Sequence, residues 1–376
     1  MKKSLLSILA VASASALALS GCAQPPSTTS PSATGGASAP ATSAPAATEG
    51  AGASDFLACM VSDAGGFDDK SFNETAYNGM MKAKDELGIQ TKQIESNAEG
   101  EYAGNVQSMI DAKCNIVITV GFALATATEA AAKQNPDVQF TIVDNGSFEG
   151  VDNARGLIFN TAQPAFMAGY AAAAMSTSGT VGTFGGAKYP TVTIFMDGFA
   201  QGVSYYNETK GASVKVIGWD EAAQDGQFVG GNNPFGDIPG GKNTAATLIA
   251  QGADIIMPVA GPAGLGALQA AQESGGKVNA VWVDTDGFIS APSSAPDRDL
   301  GHEGHGPRRV RLDQGLARGH LQLRPVRRHA GERRRRARPV PRLRVEDARG
   351  LQAELDQIKA DIISGTIAIT SPSQPK

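Results

Sequence analysis

Short apolar runs alternate with longer amphipathic stretches through most of the chain, and this alternation limits the possible folds more than any other feature. Between residues 55 and 283 the apolar runs end in turns rich in Gly, Asn or Asp, and the stretches that follow carry apolar residues at helical spacing. Such units, joined by short connections, build parallel sheets that helices cover on both faces, so we predict an α/β protein. The predicted strands are 57–61, 90–95, 115–120, 139–143, 180–184, 214–218, 254–259 and 278–283. The predicted helices are 71–87, 102–112, 124–134, 163–175, 191–206, 242–250 and 264–273.

The alternating series falls into two halves of similar plan, which predicts two Rossmann-like lobes. A chain of 376 residues exceeds one ordinary domain. We expect an N-terminal α/β lobe over residues 55–175 and a C-terminal α/β lobe over residues 176–289. Residues 351–376 return to folded sequence, with an amphipathic helix that a C-terminal strand follows.

The N-terminus has the organisation of an export signal. Two lysines precede an apolar run at residues 5–19, which is too short for a stable membrane span, and the run leads into LSGC. Residues 1–22 therefore resemble a bacterial lipoprotein signal peptide with a lipobox, in which Cys22 would be lipidated, for example with palmitate. An ordinary secretory signal with an incidental cysteine is the alternative. Residues 23–54 consist largely of Ala, Pro, Ser, Thr and Gly, and we expect a disordered tether.

Only two cysteines follow Cys22, and both lie in apolar strands. Cys59 and Cys114 are more typical of buried thiols than of a disulfide framework, although export would permit a bridge between them. No Cys/His spacing indicates a metal, and we expect no cofactor.

The first strand-loop-helix unit concentrates residues that could bind a ligand. Its strand must end at Asp63, because the Gly- and Asp-rich turn that follows disfavours a packed strand. Ser71 and Glu74 have the spacing of a capping box, which predicts the start of a helix. Asp63, Phe72 and Asn73 should therefore lie at the carboxyl edge of a parallel sheet, where open α/β sheets hold ligands.

One segment departs from this pattern in composition. Residues 297–350 contain 16 of the 17 arginines and all four histidines, and no lysine. A nucleic-acid patch is disfavoured because the segment lacks interleaved aromatics and helical periodicity, and because the rest of the chain has 16 basic and 30 acidic residues. Dropping one base from codons permitted for HEGHG yields MKGM. We interpret residues 290–350 as a frame-shifted Arg-rich segment that is not expected to fold, which the coding DNA would test.

Several motifs together resemble those of the basic membrane protein family, the lipoprotein substrate-binding components of ABC importers that include purine nucleoside receptors. The resemblance covers residues 55–286 and 351–369, and the frame-restored text also resembles the family. It implies a type I periplasmic binding protein with two lobes and a hinged cleft. The motifs are MVSDAGGFDDKSFN, VGFALATA, FTIVDN, FMAGYAAA, GTFGGAKYPTVTIFMDGFAQG, ADIIMPVAGPAGLGALQAA and VWVDTD.

The resemblance also implies how a ligand would be held. In nucleoside-binding relatives an aromatic ring from each lobe stacks on the base. Phe72 matches the first ring, and Phe199 is our choice for the second, with Phe195 as the alternative. Asp63 would accept hydrogen bonds from the base edge, and Asp284 from the ribose hydroxyls.

Weaker candidates complete the expected site. Asp144 ends a strand at the same edge, Gly121 and Phe122 would line the cleft as in the family, and Gly261 opens a helix whose free amides could approach a ligand. The ribose-contacting lysine of the family falls, in the restored frame, at the position written here as Glu303. The expected ligand-binding residues are Asp63, Phe72, Asn73, Gly121, Phe122, Asp144, Phe199, Gly261 and Asp284.

The predicted function is that of a binding protein. We expect a monomer that is lipid-anchored on the extracytoplasmic face of the cell membrane. It should bind a nucleoside, preferentially a purine nucleoside, and interact with an ABC permease. The same fold with a simple sugar or another small polar ligand is the alternative. An enzyme is disfavoured, because no His lies outside the Arg-rich segment and no nucleophile elbow or phosphate loop is present. No nucleic-acid partner is expected.

Overall fold

Five parallel strands form the first sheet. The computed structural model describes residues 55–291 and 345–375. The strand order in this sheet is β2-β1-β3-β4-β5, so the chain starts inside the sheet and winds outward on both sides. Its strands are β1 Leu57–Ala64, β2 Gln90–Ser96, β3 Ile116–Val120, β4 Gln139–Val143 and β5 Ala154–Leu157, and its helices are α1 Phe72–Leu87, α2 Tyr102–Asp111 and α3 Ala125–Gln134.

Strand β1 is buried on both faces. Cys59 and Val61 pack into a core cluster with residues of α2 and α3, whereas Met60 packs with Met80 of α1 on the other side. Successive side chains of a strand point to opposite faces. A continuous apolar run is therefore what a central strand of a doubly covered parallel sheet requires.

The second sheet has four parallel strands in the order β11-β10-β6-β7. Helices α4 and α5 pack on one face of it, and α6 and α7 form a second core cluster with it. The strands of the second half, including the short antiparallel pair β8 and β9, are β6 Thr180–Gly185, β7 Lys215–Ile217, β8 Trp219–Asp220, β9 Asp225–Gly226, β10 Ile255–Val259 and β11 Asn279–Ala280. The helices are α4 Ala162–Met175, α5 Pro190–Lys210, α6 Ile238–Ala250, α7 Gly264–Glu273, α8 Gly287–Ser290 and α9 Val345–Ser364.

Helices α4 and α5 approach each other at backbone distance. A Cβ at Gly169 would lie 2.0 Å from the Phe199 carbonyl oxygen, and a Cβ at Gly202 would lie 1.9 Å from that of Phe166. Only glycine permits this approach. Helix α4 thus packs over the second sheet, although the expected lobe division at residue 175 assigns it to the first; that division stays a prediction.

The C-terminal helix is confirmed, but the strand predicted after it is wrong. Helix α9 is followed by turns and extended chain without ladder partners among the described residues. This tail is held by side chains instead. Ser371 Oγ donates to Asp197, and Asp197 also accepts from Trp219 Nε1 at 2.9 Å and from Gln224 Nε2 at 2.8 Å.

The two strand cysteines are bonded to each other, whereas the sequence favours buried thiols. Cys59 and Cys114 form a disulfide with a Cα–Cα distance of 5.9 Å. The bridge joins β1 to the turn before β3, because parallel pairing places Ala58 beside Ile116 and so brings the two cysteines together. The spacing of the two cysteines in the sequence does not indicate which residues of β1 and β3 pair.

Several predicted features lie outside the described residues. These are the signal peptide with Cys22, the tether at residues 23–54, and most of the segment at residues 290–350. The strand predicted at 278–283 is shorter in the structure, where only Asn279–Ala280 pairs with β10. Strands β5, β8 and β9 were not predicted.

Candidate ligand-binding site

The carboxyl ends of the two sheets face each other across one cavity. Strands β1, β3 and β4 contribute from the first sheet, and β10 and the segment after β11 contribute from the second. The residues that line it are Asp63, Ala64, Asp69, Phe72, Asn73, Gly121, Phe122, Asp144, Tyr189, Thr191, Val192, Phe195, Phe235, Val259, Ala260, Gly261, Pro262, Val283 and Asp284. Of the nine expected residues, only Phe199 is missing from this lining.

Asp63 is held in place by two neighbours. Asn73 Nδ2 donates to Asp63 Oδ1 at 2.9 Å. A Cβ at Gly121, which has a φ of 114°, would lie 2.0 Å from Asp63 Oδ2. The second oxygen of the carboxylate therefore occupies space that only a glycine leaves open. Asn73 Oδ1 is buried and has no hydrogen-bond partner among the described residues, so it can accept from a ligand.

The start of α1 is capped by Asp69, and the predicted capping box is wrong. Asp69 accepts from the backbone N–H groups of Ser71, Asn73 and Glu74 at 2.8 to 2.9 Å. The Ser71 hydroxyl makes no cap and donates instead to Asp284 Oδ2 at 2.6 Å. Tertiary contact with the second half of the chain has thus replaced a local hydrogen bond.

Two further carboxylates enter the cavity from unusual backbone conformations. Asp144 follows β4 and Asp284 follows Val283, and both have a φ of 66°. Aspartate is one of the few residues with a side chain that tolerates this left-handed region. Each chain segment can therefore turn sharply at the sheet edge while still presenting a carboxylate.

Burial raises the pKa of all three of these carboxyl groups above the ordinary value of 3.8. It raises the pKa of Asp63 to about 7, although the hydrogen bond from Asn73 lowers it, and repulsion from Asp69 adds to the rise. It raises the pKa of Asp144 to about 7, with repulsion from Asp284 and Asp63 adding. The pKa of Asp284 rises to about 6, because burial outweighs the hydrogen bond from Ser71. No lysine, arginine or histidine is among the described residues that line the cavity.

Aromatic rings reach the cavity from both halves. Phe72 and Phe122 belong to the first half, and Tyr189, Phe195 and Phe235 belong to the second. The rings of Phe122 and Tyr189 have centroids 5.4 Å apart, and those of Tyr189 and Phe235 are 6.0 Å apart with an interplanar angle of 29°. Rings of the two halves are therefore already in contact.

The expectation that Phe199 supplies the second ring is corrected by the structure. Its side chain is fully buried in the core cluster of α4 and α5. Phe195, one helical turn earlier, lines the cavity. Both lie on the apolar face of α5, because residues four apart share a helix face, and only their positions relative to the helix start distinguish them.

Sequence reasoning did not single out Tyr189 or Phe235. Tyr189 directly precedes α5, and Phe235 lies just before Asp237, the N-cap of α6. Phe72 is likewise the first residue of α1. An aromatic residue at the start of a helix that follows a strand was the available signal.

The cavity has a volume of about 60 Å³. This space holds a few water molecules, whereas small-molecule sites measure roughly 300–1,000 Å³. We therefore expect the two sheets or the rings between them to move apart when a ligand enters. No group of three metal-ligating side chains was found within residues 55–291 and 345–375. In those same ranges no helix has the length and hydropathy of a membrane span.

A model of the Bmp family, described as ABC transporter substrate-binding protein, PnrA-like, matches residues 56–295. The chain belongs to this family. The resemblance inferred from the sequence motifs is therefore confirmed, and the family is one of substrate-binding proteins and not of enzymes, as expected.

Relatives of the Bmp family show the extent of the similarity. Basic membrane protein A of Borreliella burgdorferi is 32% identical over 234 residues, which cover 61% of this chain and 64% of the relative. The chain thus spans less than two thirds of that protein. The ABC transporter nucleoside-binding protein BmpA of Lactococcus lactis subsp. cremoris is 29% identical over 297 residues, which cover 76% of this chain and 75% of the relative.

Solved structures confirm the fold class. An ABC transporter solute-binding protein from Aeropyrum pernix K1 superposes with a TM-score of 0.54 at 25% identity, covering 60% of this chain and 61% of that one. A second, from Conexibacter woesei, has a TM-score of 0.51 at 17% identity and covers 84% of this chain and 99% of that one. The Bmp chain therefore has the α/β fold of the periplasmic binding proteins.

Proposed function

We propose that this Bmp-family chain binds a nucleoside, preferentially a purine nucleoside, in the cavity between the two sheets and delivers it to an ABC importer. The observation that carries the proposal is the meeting of aromatic rings from both halves with several carboxylates in one cavity. Stacking on a nucleobase contributes roughly 1–3 kcal/mol per base and demands little of the orientation within the plane. Phe72 from the first half and Phe235 from the second are the proposed stacking rings, with Phe195 beside them.

The polar groups suit a neutral ligand with many hydrogen-bond donors. Asp63 and Asn73 Oδ1 would accept from the base edge, and Asp284 and Asp144 from the ribose hydroxyls. A phosphate group would meet like charge, because the described residues that line the cavity include carboxylates and no cationic side chain. The proposal is therefore a nucleoside and not a nucleotide.

Closure around the ligand would be a shift of population. An open form binds, and the closed form becomes favoured because the ligand contacts both halves at once. The described conformation, with a cavity of about 60 Å³ and rings in contact across it, corresponds to a closed form. The importer would read the closed form.

The location is part of the same proposal. Lipid attached to Cys22 would hold the protein on the extracytoplasmic face of the membrane, and residues 23–54 would act as a flexible tether. We expect the chain to act there as a monomer that meets a permease.

A thermal-shift screen tests the binding function. We expect adenosine, guanosine, inosine or cytidine to raise the unfolding midpoint, with ribose, glucose and adenosine monophosphate as comparison ligands. Phe72→Ala should abolish the nucleoside response. Phe56→Ala, which removes an exposed ring just before β1, should retain it. A response to sugars together with none to nucleosides would favour the sugar-binding alternative.

A further inference from the structure

The backbone of Tyr189 is fixed at the start of α5. It precedes α5 as the N-cap residue, and Pro190 begins the helix. The Tyr189 carbonyl accepts from the backbone N–H groups of Val192 and Thr193, each at 2.9 Å. Because the first turn of the helix pins the residue on its C-terminal side, movement of the ring is confined to the side-chain torsions.

The ring lies between two other rings that come from different halves of the chain. Its centroid is 5.4 Å from that of Phe122, which follows β3, and 6.0 Å from that of Phe235, which precedes α6. Both distances are within the range of favourable aromatic pairs. Tyr189 thus contacts one aromatic ring from each half of the chain at the border of the cavity.

The space beside these rings is small. The cavity that these three rings border has a volume of about 60 Å³. The other ring of α5 at this site, Phe195, is 4% exposed and belongs to the core cluster, so it forms a wall. Tyr189 is partly buried and is the ring that contacts both opposing aromatic surfaces.

We propose that Tyr189 determines the size of ligand that the site accepts, by filling the space between Phe122 and Phe235 that a substituent on the heterocycle would need. The inference rests on the proposed nucleoside-binding function. Unsubstituted nucleosides bind with the Tyr189 ring in place, and base-substituted nucleosides bind only when the ring is shortened or displaced.

Calorimetric titration of the full chain with adenosine and N6-benzyladenosine tests this assignment. We expect Tyr189→Ala to increase the affinity for N6-benzyladenosine relative to adenosine by about tenfold or more, as for other changes of pocket size. Tyr189→Phe, which keeps the ring, should keep the wild-type ratio of affinities. Tyr77→Ala removes a ring that pairs with Phe67 at 5.0 Å outside the cavity, and it should leave both affinities unchanged.

The opposite outcomes are distinct. Equal weakening of both ligands by Tyr189→Ala would make Tyr189 a stacking partner and overturn the proposal, as would an unchanged ratio. Tyr189→Leu shortens the side chain but still fills part of the space, and it should shift the ratio in the same direction by a smaller factor, which keeps the test valid if the alanine variant does not fold. If the wild-type chain binds no nucleoside at all, the proposed function fails; if it binds and the ratio does not move, only the role of Tyr189 fails.

Discussion

Single residues at the sheet edge carry the geometry of the candidate site. Asp144 and Asp284 share a φ of 66° although neither is a glycine. A left-handed conformation of this kind costs about 1–3 kcal/mol and concentrates at functional sites. The burial of both carboxyl groups adds a second unfavourable contribution. Stability has therefore been given up at the residues that we propose to bind ligand.

Replacement of Gly121 tests how strictly Asp63 is placed. In Gly121→Ala the new Cβ would lie 2.0 Å from Asp63 Oδ2, and the φ of 114° is strained for alanine. We expect a loss of about 1–3 kcal/mol in the free energy of unfolding, together with loss of the nucleoside response. Chemical denaturation and thermal shift measure the two effects. Gly79→Ala, where no atom lies within 4 Å of the new Cβ, should leave the response intact.

The pH dependence of stability follows from the raised pKa of Asp144. The folded state keeps this proton up to about pH 7, whereas the unfolded carboxyl loses it near 3.8. The contribution of Asp144 to stability therefore falls as pH rises from about 4 to about 7, and stays level above. Asparagine tolerates the same backbone conformation. The change in unfolding midpoint caused by Asp144→Asn should therefore be more favourable at pH 8 than at pH 5, by about 2–4 °C for each 1 kcal/mol of unfavourable free energy that the substitution relieves.

Because Asp144 is only partly buried, solvent screening should make the change in unfolding midpoint smaller than the raised pKa alone implies. Asp137→Asn, at an exposed position, serves as the control. A gain for Asp144→Asn that is the same at both pH values would contradict the assignment.

At the scale of elements, the loop between β1 and α1 serves the helix and the site together. Asp69 caps α1 with both of its carboxylate oxygens, which leaves the Ser71 hydroxyl to reach Asp284. The same helix start places Phe72 and Asn73 in the cavity. Capping the helix from the preceding loop thus positions the ligand-facing side chains.

The disulfide that joins β1 to the turn before β3 should stabilise the fold. It closes 55 residues of chain between β1 and β3, and such a bridge typically stabilises a domain by roughly 2–4 kcal/mol. The double variant Cys59→Ala, Cys114→Ala should therefore unfold at lower urea concentration than the oxidised wild type. Reduced wild-type protein should match the variant more closely than the oxidised protein does. Reaction of both thiols with a labelling reagent in unfolded, unreduced protein would show that the bridge does not form.

At the scale of the whole molecule, two hydrogen bonds join the halves beside the cavity. Ser71 Oγ donates to Asp284 Oδ2 at 2.6 Å, and Trp282 Nε1 donates to the Lys70 carbonyl at 2.9 Å. They connect the loop before α1 to the segment after β11, and the contact between Phe122 and Tyr189 connects the turn after β3 to the start of α5. These contacts must break for the cavity to widen.

Removal of one such contact should favour the open form. A hydrogen bond to a charged group contributes about 1.5–3 kcal/mol, so Ser71→Ala should raise the ratio of open to closed forms roughly tenfold or more. Spin labels at the exposed positions Lys84 and Lys277 report on opposite halves, and double electron–electron resonance should detect a second distance population. Ser108→Ala removes a hydroxyl that bonds only within α2 and should not change the distances. Equal distance distributions for both variants would exclude a latch at Ser71.

Much of the architecture could be predicted from local pattern. The helix at residues 102–112 and the strand at residues 139–143 agree with α2 and β4. The two-residue strands β8 and β9 could not be predicted, because their pairing depends on a neighbouring strand and their residues carry no periodic signal. The missing C-terminal strand has the same cause: Ile369 is apolar and buried, but it packs on α5 without a ladder partner among the described residues.

The sequence by itself determined the alternating elements, their parallel arrangement and the sheet edge at which Asp63, Phe72 and Asn73 lie. Hydrophobic periodicity and turn-forming residues are local properties, so they can be recognised directly in the sequence. Only the tertiary structure decided that Phe195 and not Phe199 faces the cavity, that Cys59 meets Cys114, and that Ser71 bonds Asp284 instead of capping its own helix. Each of those outcomes depends on contacts between residues far apart in the chain, whose distances no local pattern encodes.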